Sequence, residues 1–277
     1  MCILDELRNA MAYISGSGRI VARDREHLKE LIRRRIKKYG PNCNLNDIDV
    51  SNVTRMNSLF KNSKFNGDIS EWDVSNVTDM SEMFRDSDFN GDISDWDVSS
   101  VKDMKYMFAS TIFTNDISKW NVSHVKDMQY MFAGSEFNGD ISKWNVSRVK
   151  NMQDMFNNSE FNGDISGWDV SNVKNMSNMF AHSKFNEDIS NWDVSGANYM
   201  CYMFAASKFN RDISKWNVSN AKNIEGMFAK SKFTRDISNW GSDNVRRAGY
   251  TFNGYRGSNT SIQEELIRKL TSALKRA

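Results

Sequence analysis

Three histidines, His27, His124 and His182, and three cysteines, Cys2, Cys43 and Cys201, offer the readiest acid–base and thiolate chemistry in this chain. None of them is spaced as a site. The histidines fall far apart, and Cys201 follows His182 at an interval that puts it out of register with any repeat, so no catalytic pair is expected. The cysteines show neither zinc spacing nor a disulfide framework, which favours a reducing compartment. A glycine-rich phosphate loop is also missing. The one regular set of potential ligands is a column of aspartates, Asp68, Asp92, Asp116, Asp140, Asp164, Asp188, Asp212 and Asp236. A calcium ladder would need a second carboxylate in step with it, which the repeat does not supply. These aspartates are expected instead to hold turns together with the serines that follow them. The expectation is a non-enzyme with no metal and no cofactor.

Binding chemistry is easier to find, because several polar columns vary while the rest of the pattern stays fixed. Lys102, Lys126, Lys150 and Lys174 form a basic row, broken at Asn198 and resumed at Lys222. With Asp79, Asp103 and Asp127 next to it in sequence, the row is expected to be a salt-bridged, solvated face. Tyr106, Tyr130 and Tyr202, with Tyr199 close by, are placed on an outer helix face as anchors for a partner. The residue before each tryptophan varies freely and includes Lys119 and Lys143. The candidate partner-binding set is therefore Tyr106, Tyr130, Tyr199, Tyr202, Lys119, Lys143, Lys126 and Lys150.

What positions all of these is a repeat of 24 residues. All eight tryptophans keep that interval from Trp72 to Trp240, and two phenylalanine columns, beginning at Phe60 and Phe65, account for every phenylalanine. Fourteen of the sixteen methionines join them, as in Met80 with Met83. Asp68 to Val74 is read as a short strand, and the spacing of Val77, Met80, Met83 and Phe84 as a two-turn helix. One such unit buries too little to fold alone, so the units must stack. The predicted fold is an α/β repeat solenoid, leucine-rich-repeat-like, with one short strand and one short helix per coil and helical caps at both ends. At about 4.8 Å per coil it would make a rod about 40 Å long. The tryptophans, though able in principle to stack on sugars or bases, are assigned to the core.

The boundaries follow from where the pattern starts and fades. Residues 1–44 read as an N-terminal helical cap, with a helix from Asp24 to Tyr39 stopped by Gly40 and Pro41. Residues 45–252 form about eight and a half coils, the first with Ile48 in the tryptophan place, and 253–277 supply a capping helix over 261–275. Met1 to Ile14 reads as a further short amphipathic helix. Residues 1–44 hold ten basic and five acidic side chains and 245–277 seven and two, whereas the repeats carry twenty and twenty-eight. The net charge is only +2, which argues against a surface devoted wholly to nucleic acid or anionic membrane. No apolar run is long enough to span a bilayer.

The unit F-N-G-D-I-S-x-W-D-V-S-N-V-x-x-M-x-x-M-F resembles the repeat of the BspA-like bacterial surface proteins and related mycoplasma lipoproteins, from Leu45 to about Phe252. That resemblance implies a leucine-rich-repeat-like solenoid and, for many relatives, adhesion to host proteins. The leading expectation is a monomeric, non-catalytic scaffold that binds and occludes another protein, an inhibitor or effector from a pathogen or phage with a role in virulence or counter-defence. It would work in the cytoplasm of producer or host. The alternatives are a surface adhesin or glycan binder whose export signal is not in the sequence, and a nucleic-acid binder using the lysine row.

Overall fold

Each indole ring of the repeat is driven inward with an N–H that cannot be left unpaired in an apolar interior. The computed structural model, which describes residues 18–240 and Thr251, shows how that donor is satisfied. The Trp96 Nε1–H donates to the carbonyl of Ile69 in the preceding coil at 3.2 Å, and the same bond recurs from Trp72 to Leu45 and from Trp240 to Ile213, both at 3.0 Å. The tryptophans are only 3 to 6 % exposed. With Ile, Val, Met and Phe they form one continuous core running from Ala22 to Trp240. Inside it the rings lie in offset stacks, Phe84 on Phe108 at 5.6 Å and Trp72 on Trp96 at 6.4 Å between centroids. The solenoid expected from the repeat is present, and the indoles are closed to any sugar or base.

The coil itself differs from the expected strand and helix. Among the described residues only three regular elements exist: β1 (Ile20–Val21), α1 (Arg25–Tyr39) and β2 (Ile48–Asp49), with β1 and β2 parallel. Between Asp68 and Phe84, and in every later coil, the chain runs through successive turns, with one isolated parallel bridge per coil such as Asp79 to Asp103. The backbone donors explain this. Met80, Glu82, Phe84 and Asp86 each donate to the next coil, to the carbonyls of Asp103, Lys105, Met107 and Ala109, while Met83, Arg85 and Ser87 close tight turns back to Met80, Glu82 and Phe84. No N–H remains for an α-helical bond four residues back. Glu82 and Asp86 also have φ of 57° and 54°, a left-handed geometry that interrupts any right-handed helix and marks turns of type II.

Side chains fix the remaining corners. Asp68 Oδ1 accepts from the Ser70 N–H at 3.0 Å and its hydroxyl at 2.7 Å, and Asp73 and Asp79 do the same for Ser75 and Ser81. Ser87 Oγ donates to the Phe84 carbonyl at 2.6 Å. Asparagines add an amide ladder, in which Asn66 Oδ1 accepts from the Asn90 N–H at 2.7 Å and Asn162 Oδ1 from the Asn186 N–H, also at 2.7 Å.

At the N-terminal end α1 closes the core. Asp24 caps it by accepting from the His27 N–H at 2.8 Å, Gly40 ends it at φ 86°, and Leu28 and Ile32 are buried against the first coil. Its basic run is held by carboxylates: Arg33 and Arg34 donate to Glu30, pulling that carboxyl down to about 2, and Arg35 pairs with Asp47. At the other end Phe228 donates to the Thr251 carbonyl at 2.8 Å. The expected helices over Met1 to Ile14 and over 261–275 lie outside the described residues. No described helix is long and apolar enough to cross a membrane.

Candidate partner-binding surface

The tyrosines expected on an outer helix face stand instead at a left-handed turn position. Tyr106, Tyr130 and Tyr202 have φ of 56°, 57° and 55°, in the column that also holds Glu82 and Asp154. This places their rings one above another along the rod, and the first two use that placement internally. Tyr106 stacks on Tyr130 at 4.4 Å with planes 6° apart, and the Arg85 guanidinium covers the other face of Tyr106 at 4.7 Å. The Tyr130 hydroxyl is hydrogen-bonded to Asp154, a carboxylate only 2 % exposed that also accepts from Asn157 at 2.6 Å and Gln153 at 3.1 Å. Burial first, and Asp154 second, pushes the Tyr130 phenol up to about 12. Tyr106 and Tyr130 thus belong to a lateral zipper rather than to an open surface.

Tyr199 and Tyr202 lie differently. They are 45 % and 37 % exposed, and among the described residues of the repeats only Ile112 of the large hydrophobic residues is comparably open. Tyr202 spreads over Gly226, where an added Cβ would fall 2.2 Å from its ring. Tyr199 occupies the bridge column, in which Asp79, Asp103, Asp127, Asn151, Asn175 and Asn223 each accept the N–H two residues on. A tyrosine cannot make that turn bond. Its backbone still donates to Lys174 O at 3.1 Å, which sets Tyr199 beside the lysine row, with Lys174 and Lys222 one coil to either side.

The lysine row is not the salt-bridged face that was expected. Its backbone forms an unbroken ladder, Lys126 donating to Lys102 and Lys150 to Lys126, each at 2.9 Å, and Lys174 to Lys150 at 2.8 Å. Lys102, Lys126, Lys150, Lys174 and Lys222 are exposed, and none of them is in an ion pair among the described residues. The neighbouring carboxylates are committed elsewhere: Asp79 to Arg55 at 3.1 Å, Asp103 to Lys105 at 3.2 Å, while Asp127 is half-buried and burial pushes its carboxyl up. Among the described residues, two ammonium groups in the row have a polar partner of their own, Lys150 with Asn172 Oδ1 at 3.0 Å and Lys174 with Gly196 O at 3.1 Å. Of the other candidates, Lys119 pairs loosely with Asp95 at 3.6 Å, and Lys143 is exposed near Asp140.

The aspartate column is exposed and in step with the coils, each carboxylate accepting the N–H of the serine two residues on. Those bonds hold the carboxyls from Asp68 to Asp212 below their ordinary range. Among the described residues no cluster could hold a metal ion. His124 and His182 lie exposed in different columns, and the Cys201 thiol is bonded to Ser177 Oγ at 3.2 Å. A shallow cavity of about 340 Å³ lies over the later coils, lined by Asp188, Ser190, Arg211, Asp212, Lys215 and Arg235. Arg211 and Arg235 were not singled out from sequence. The signal was their place in a column held by Gly67, Gly91, Gly139 and Gly163 in earlier coils.

Searches of curated proteins and of solved structures give no match. A family model described as "Mycoplasma protein of unknown function, DUF285" matches residues 32–136, 109–205 and 158–265, so that its overlapping copies cover most of the chain. The protein is a tandem-repeat member of that Mycoplasma family.

Proposed function

We propose that this chain is a non-catalytic scaffold that binds another protein, and that the partner is gripped at Tyr199 and Tyr202, flanked by Lys174 and Lys222. The observation that carries this reading is the exposure of these two tyrosines at the point where the columns break their pattern, Tyr199 replacing a turn-forming Asp or Asn. Amphipathic rings held on a rigid backbone bury large area at little conformational cost, the usual make-up of a binding hot spot. Elsewhere the fixed columns are consumed by the core and the varied ones are solvated, as a scaffold requires. The partner is met in the cytoplasm of producer or host, where the protein acts by occlusion as an inhibitor or effector. Cys43 and Cys201, both present as thiols, agree with a reducing setting.

Affinity capture and mass spectrometry test this directly. A partner retained by the wild type and lost from a Tyr199→Ala, Tyr202→Ala double variant with unchanged thermal unfolding supports the proposal. Equal retention by both proteins removes the assigned site, and the absence of any saturable partner removes the function.

A further inference from the structure

The solenoid carries two charged ladders of opposite sign with the same period. One is the lysine row, whose backbone bonds from coil to coil hold Lys102, Lys126, Lys150 and Lys174 one coil apart, about 4.8 Å in a strand-like ladder. The other is the aspartate column, exposed in every coil and fixed by the Ser N–H bonds beneath it. From Asp68 to Asp164 the carboxylates are exposed, and the residue before each is glycine, Gly67, Gly91, Gly139 and Gly163, except at Asn115, whose amide is turned back onto Asn90 and Gly91. Beyond it Arg211 and Arg235 crowd the line and donate to Asn186 O and Asn210 O. Nearly half a coil of chain separates the two ladders, and no ion pair joins them within one molecule among the described residues.

We infer that the lysine row of one copy docks along the aspartate column of a second copy, so that the rods associate side by side. The partner is chosen by period. Two lines of charge can stay matched over several coils only if both advance by the same step, and another copy of this solenoid supplies that step. Alternate side chains of an extended acidic peptide advance by about 6 to 7 Å, and the phosphates of one duplex strand by about 3.4 Å along its axis, so both drift out of register with it. A single exposed ion pair is weak, so several in line are needed. With a net charge of only +2, two copies repel each other little at a distance. The contact joins different faces, which makes it heterologous, and it therefore grows into open lateral arrays rather than closing as a dimer.

Sedimentation velocity on the full chain tests this, with a complementation built on the two faces. Lowering salt from about 500 mM to about 20 mM lengthens screening several-fold and is expected at least to double the weight-average mass of the wild type. A Lys126→Glu, Lys150→Glu, Lys174→Glu triple variant breaks the middle of the lysine row and keeps the aspartate column whole. An Asp92→Asn, Asp116→Asn, Asp140→Asn variant breaks the open stretch of the aspartate column and keeps the lysine row whole, and Asn preserves the turn, as Asn121 and Asn145 do for Ser123 and Ser147. Each variant alone is expected to stay monomeric at low salt, and their mixture to form a 1:1 complex that stops at two chains. A wild type that remains monomeric at low salt overturns the inference. So does a mixture that fails to pair, or a wild type that stays single while its lysine row binds an oligothymidylate or polyglutamate probe.

Discussion

Tyr130 and Tyr202 share a column, a left-handed backbone and a residue type, yet one is locked into a zipper and the other lies over a glycine with more than a third of its surface in solvent. The difference lies in the neighbour one coil further on. After Tyr130 comes Asp154, which takes its hydroxyl; after Tyr202 comes Gly226, whose missing side chain makes room for the ring. Position in the repeat sets where a side chain stands, and the next coil decides how much of it is covered. The regular coils and the coil of Tyr199 and Tyr202 are therefore the same construction with different occupancy, and the following substitutions probe that contrast.

The largest effect belongs to the interior that both regions share. Trp144→Ala removes a buried indole and its bond to Ile117 O, and should cost about 3 to 5 kcal/mol of unfolding free energy in a denaturant titration. If its loss is nearly neutral, the continuous core is not what holds the coils. Next comes Tyr130→Phe, which takes one donor from a buried carboxylate and should destabilise by about 1 to 3 kcal/mol. A cost below that range would mean the zipper is ornamental.

Acid gives a smaller, distributed effect. The aspartate column carries carboxyls whose folded pKa lies below the unfolded value of about 3.9, so its contribution is complete above that pH and is lost as pH falls through the folded values. Stability should therefore decline from near pH 4 downward. The Asp92, Asp116, Asp140 to Asn triple should show a flatter acid limb in melts recorded across that range. The smallest expected change is at Tyr199. Tyr199→Asn restores the turn acceptor found in the neighbouring coils and should raise stability by about 0.5 kcal/mol while abolishing partner capture. Stability and binding moving in opposite directions there would separate the exposed coil from the regular ones most sharply.

The columns of Trp72, Phe84, Phe89 and Met80 were legible because burial repeats with the chain, whatever path the backbone takes. The path itself was misread because Val77, Met80, Met83 and Phe84 face one side equally well in a short helix or in a chain of turns. A clue was present in the left-handed columns, where Asn62, Asn158, Asn178, Gly134 and Gly226 are the residue types that tolerate positive φ. The glutamate, tyrosines and histidine sharing those columns masked it. The exposure of Tyr199 was legible as a break in a column of Asp and Asn, whereas the pairing of Tyr130 with Asp154 needed the coil-to-coil stacking to be known. The lysine row was found, but its charge balance was inferred from neighbours in sequence, and those carboxylates turn toward Arg55, Lys105 and the backbone.

Every indole points its hydrogen at a carbonyl made earlier in synthesis, Trp120 at Ile93 and Trp216 at Ile189 among them. A nascent chain leaving the ribosome thus always finds the docking point for its newest ring already in place, with α1 as the first template. Growth of the rod has a built-in direction: fragments shortened from the C-terminus retain a foundation, whereas those shortened from the N-terminus lose it.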